Sequence, residues 1–150
     1  MPSQATNYFY TIVAMGFIAL VITNAFKAQA VGFKAISERQ ELNRILETVA
    51  SEATELITFT EATNATSRVS LHTPNLIGNK EYWVRLHSDG SEAWVEGAFG
   101  ETWEGSPDQR VELPRGVAAS GIFRGGYGTL ALNCTNQGGE HYLVLGRWGG

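Results

Sequence analysis

The sequence holds little of what usually announces a crosslinked scaffold or a reactive centre. One of its 150 residues is cysteine, Cys134, so no intrachain disulfide can form and a small disulfide-stapled scaffold is excluded. Eleven Lys and Arg stand against 15 Asp and Glu, and the resulting charge of -4 leaves no basic footprint, so no nucleic acid is expected as a partner. The three histidines, His72, His87 and His141, lack H-x-x-H or C-x-x-C companions, and no metal site is expected. Ser120, in A-A-S-G, lacks the glycine pair of a nucleophile elbow. No Lys-Ser/Thr and no helix start come after Gly125-Gly126-Tyr127-Gly128, which therefore reads as a glycine-rich turn and not a phosphate loop. With no catalytic residue in view and no cofactor expected, an enzyme is the least favoured reading.

The most informative absence is local. The first 26 residues contain no Lys, Arg, Asp, Glu or His, so every charge lies beyond them. Within that stretch, residues 8–26 read Y-F-Y-T-I-V-A-M-G-F-I-A-L-V-I-T-N-A-F, broken only by Thr11, Thr23 and Asn24. As a helix this spans roughly 28 Å, close to the hydrocarbon thickness of a bilayer. A signal peptide is the competing reading, since Ala28-Gln29-Ala30 has the A-x-A form, but no positive charge precedes the apolar run. The candidate membrane-helix or polymer-core residues are Tyr8, Phe9, Ile12, Val13, Met15, Phe17, Ile18, Leu20, Val21, Ile22 and Phe26. Lys27, Lys34, Arg39 and Arg44 all lie after the run, and by the positive-inside tendency alone this would place the C-terminal part of the chain in the cytoplasm.

Past Lys27 the helical period continues. Ile36, Leu42, Ile45, Leu46, Val49, Ala53, Leu56 and Ile57 recur largely at threes and fours, with Glu38, Arg39, Glu41, Arg44, Glu47, Glu52 and Glu55 on the other face. The spacing predicts one helix of about 50 residues, roughly 75 Å long. Its second half presents a stripe, from Ile36 to Leu56, for packing on a head domain. Gly16 and Gly32 interrupt it singly.

A Thr-rich run at residues 58–67 reads as a hinge, giving a division into helix (1–57), hinge (58–67) and β head (68–150). In the head, alternating segments predict seven strands, at 68–72, 81–87, 92–99, 109–113, 117–123, 129–134 and 141–145, with Ser88-Asp89-Gly90 as a hairpin turn. The fold class expected is α+β, a long N-terminal helix followed by a small antiparallel β-sandwich or barrel. Trp83 and Trp94 are expected in the head's core, whereas Trp103 and Trp148, in loop-like context, are candidates for contacts between subunits. Two N-x-T sequons make Asn64 and Asn133 possible N-glycosylation sites.

The charge-free apolar start, the continuous helix and the C-terminal β head together resemble the type IV pilin superfamily. The segment L-H-T-P-N-L-I-G-N-K-E-Y-W-V-R-L, residues 71–86, is similar to an L-x-x-P-x-x-I-G-x-x-x-Y-x-V-x-L pattern of archaeal pilin-like and archaellin-like proteins. Where bacterial pilins carry a glutamate early in the helix, this chain has Ala5. The resemblance implies a subunit held in the membrane before assembly, polymerising with copies of itself into a cell-surface filament with the help of an assembly ATPase and platform proteins. The alternative is a monomeric membrane-anchored β module, including a stator-like component of an archaellum motor.

Overall fold

In the computed structural model, which describes residues 2–101 and 104–149, one helix is followed by seven strands. These are α1 (Pro2–Thr63), β1 (Ser67–Leu71), β2 (Tyr82–Ser88), β3 (Ala93–Phe99), β4 (Gln109–Glu112), β5 (Val117–Arg124), β6 (Leu130–Gln137) and β7 (Glu140–Arg147). The α+β class, a long helix followed by a small sheet head, is the one expected, and each predicted strand has its counterpart. All seven strands belong to one open sheet in the order β1-β6-β7-β5-β2-β3-β4, and the layer packed on it is helix. Every neighbouring pair is antiparallel except β5 and β7. The chain leaves β5, runs down β6 beyond the gap and returns as β7 through a two-residue turn. Gly138 and Gly139 both have positive φ there, as a type I′ hairpin requires.

The chain forms two compact units, Met1–Ser37 and Glu38–Gly150. The division falls inside the helix, because its second half belongs to the head. Leu42, Ile45, Leu46, Val49, Ala53, Leu56 and Ile57 share a core with Val84 and Leu86 of β2, Val95 of β3, Phe123 of β5, Leu130 and Leu132 of β6, and Leu143 and Leu145 of β7. Burying each large aliphatic side chain is worth about 1.5–3 kcal/mol, which fixes the helix on this face. The helix comes close to the sheet at Gly97 of β3. A Cβ there would come within 3.0 Å of a Leu46 methyl and 2.8 Å of the Trp83 carbonyl oxygen.

Two expectations are corrected. The Thr-rich run is not a hinge throughout, since helix continues to Thr63 and only residues 64–66 connect it to β1. Thr58 and Thr63 return their hydroxyls to the carbonyls of Thr54 and Phe59, while buried Thr60 donates to the Ser67 hydroxyl at 3.1 Å. Asn64 then stops the helix in the left-handed conformation (φ 54°), its N–H bonded to the Thr60 carbonyl. Ile36 is not a packing residue. It lies six positions before Leu42, about 120° round the helix from the buried stripe, and is 54% exposed. The stripe begins instead at Glu38, a buried carboxylate paired with Lys80 at 2.6 Å.

Candidate functional surface

Within the first unit, the helix satisfies its own backbone beyond the first turn, and two of its hydroxyls are likewise provided for. Thr11 and Thr23, two of the three polar residues within 8–26, donate to the carbonyls of Asn7 and Ala19 at 2.8 and 2.7 Å. The side chains are uncovered. Tyr8, Phe9, Ile12, Val13, Met15, Phe17, Ile18, Leu20, Val21, Ile22 and Phe26 are all exposed, from 39% at Val13 to 74% at Tyr8. Successive residues are about 100° apart, so the run from Phe17 through Ile22 is apolar on every side of the helix. The helix is long and apolar enough to cross a membrane, and its most apolar stretch is wholly uncovered. Val31 and Phe33, each 70% exposed, extend the apolar surface past Lys27. Sequence reasoning misses them because they fall outside both the uncharged run and the packing stripe. Their residue type was the available signal.

Such a surface is unstable in water. Monomeric proteins rarely expose contiguous apolar patches above a few hundred Å², and this one is contiguous over about five helical turns. Lipid chains, the interior of a larger protein assembly and a bundle of like helices are environments that take a helix apolar on all sides.

The head, by contrast, is closed. The packing residues Leu42, Ile45, Leu46, Val49 and Leu56 are all buried on the sheet. On the sheet's other face, β2, β3 and β4 carry charges that compensate one another. Glu96, itself buried, accepts from Arg85 and from the Trp94 indole N–H at 2.9 Å, and the Arg110 guanidinium stacks 3.8 Å over the Trp94 ring. Trp83 is buried as expected, whereas Trp94 sits half-buried in this outer ladder.

His72 is exposed, His87 packs against Trp94 with ring centres 4.9 Å apart and planes tilted by 55°, and His141 lies on β7. Among the described residues no three His, Cys, Asp or Glu side chains gather as a metal site would need. Cys134 is buried on the helix-facing side of β6.

The remaining sequence candidates are scattered. Asn64 is exposed at the helix end, its side-chain oxygen accepting from Asn136 at 2.8 Å. Asn133 is half-buried in the middle of β6, paired on both sides by β1 and β7, a setting that leaves its amide less accessible than that of Asn64. Trp148 is half-exposed beneath the Arg68 guanidinium, 4.4 Å from its ring centre. Trp103 lies outside the described residues. No protein-family model, curated protein or solved structure matches the chain.

Proposed function

We propose that this chain is the structural subunit of an extracellular filament, type IV pilus-like or archaellum-like, which polymerises through its apolar N-terminal helix. The observation that carries the reading is the contrast between a head with a complete core and a helix whose large apolar side chains from Tyr8 to Phe26 are all uncovered. Before assembly the helix resides in the membrane; in the polymer its surroundings become the helices of sister copies. Burying half of those side chains contributes roughly tens of kcal/mol gross, before the ordering cost of association. A helix that packs on neighbours without closing a ring builds an open helical array. The resemblance of residues 71–86 to archaeal pilin-like proteins points the same way. Cell-surface placement, the self-polymer, and the assembly ATPase and platform proteins all belong to this reading. The test is detergent removal from the purified full-length chain, followed by sedimentation. Sedimenting filaments that a chain lacking residues 1–30 fails to form are the expected result, and a soluble full-length monomer contradicts it.

A further inference from the structure

The two edges of the head's sheet are complementary to each other. β1 and β4 are its outermost strands, and among the described residues no backbone hydrogen bond reaches the outward side of either. Five antiparallel steps and one parallel step separate them across the sheet, so β4 runs antiparallel to β1. If the sheet continued into another copy in the same sense, β4 of that copy would arrive beside β1 in the antiparallel orientation.

The side chains select the register. On β1, Val69 faces the helix layer while Arg68 and Ser70 face outward; on β4, Val111 faces the helix layer while Arg110 and Glu112 face outward. Pairing Val69 with Val111 sets Arg68 opposite Glu112 and Ser70 opposite Arg110. Apolar then meets apolar, and opposite charges are directly across the ladder. Sliding by two residues one way opposes Arg68 to Arg110, and the other way opposes it to Pro114. A slide by one puts outward residues opposite inward ones. The participating groups are available. Glu112 is 78% exposed with only a loose 4.0 Å contact to Arg110, and the Arg68 guanidinium, stacked on Trp148, keeps its in-plane donors. A cavity of about 320 Å³ beside Val69, lined also by half-exposed Phe59, leaves room for the incoming Val111.

We infer that the heads of successive subunits join edge to edge, β4 of one copy adding to β1 of the next with Arg68 opposite Glu112. The contact is heterologous, so it propagates instead of closing a dimer, and it rests on the filament reading. The test is a full-length chain carrying Ser70→Cys and Arg110→Cys, oxidised after detergent removal and run on a non-reducing gel. A ladder of covalent multimers is expected from the double variant, only dimers from a mixture of the two single variants, and monomers from either alone, since Cys134 is buried. Adding Arg68→Glu should lower the crosslinking yield about fivefold, and adding Glu112→Arg as well should restore it. A ladder indifferent to both changes overturns the register. Filaments seen by electron microscopy with no ladder overturn the edge pairing and leave the filament reading standing, whereas the absence of any oligomer overturns both.

Discussion

Gly121 in β5 has φ +115°, and a Cβ there would stand 2.0 Å from the Leu145 carbonyl oxygen on β7. Only glycine lets the one parallel pair of the sheet approach this closely. Gly121→Ala should cost about 3 kcal/mol in denaturant unfolding of the head, combining backbone strain with a clash against main chain. A loss below about 0.5 kcal/mol, ordinary for a surface change, would show that the two strands separate without penalty. A second residue-scale prediction concerns the turn between β2 and β3. Asp89 accepts from the Glu92 and Ser91 amides and the Ser91 hydroxyl, and these bonds hold its carboxyl below the ordinary value of 3.8. A lowered pKa means the turn is fully supported above that value and loses support as pH falls through the folded one. Amide exchange at Ser91 and Glu92 should therefore speed up, relative to the rest of the sheet, as pH drops below 3.8, and Asp89→Asn should remove that step. Exchange that tracks the rest of the sheet in both proteins would refute it.

At the scale of elements, α1 is one secondary-structure unit with two chemistries, and each half predicts a different failure. Leu46 is fully buried against Gly97, so Leu46→Ala should destabilise the head by about 2–5 kcal/mol, read from its thermal unfolding. Ile18→Lys should leave that unfolding unchanged, because Ile18 lies in the other compact unit, and should instead oppose membrane insertion by about 3 kcal/mol. Reduced partitioning into liposomes with normal head unfolding is the expected pair of results. Loss of head stability in Ile18→Lys would contradict the division. Much of this was legible in the sequence. Alternation in E-Y-W-V-R-L-H marked β2, and the uncharged run marked the exposed helix. Ile36 misled because apolar type was read without phase, and the run around Thr60 misled because threonine's weak helix preference yields when tertiary packing supplies a buried partner. The sheet order, with β6 outside β7, had no local signal, since it depends on which strands meet after the chain has turned.

For the whole molecule, composition and structure agree on a division of labour. The head has its own buried core, while the first unit is left with its apolar side chains uncovered, the surface that the proposed polymer would bury. Electron cryomicroscopy of material formed by the full-length chain after detergent removal tests the central claim most directly. The account predicts helical filaments whose core is a bundle of residues 8–26 from successive copies, the heads arrayed outside. Particles that remain single chains in detergent or bilayer, or fibres built from heads with the helices splayed away from the axis, would contradict it.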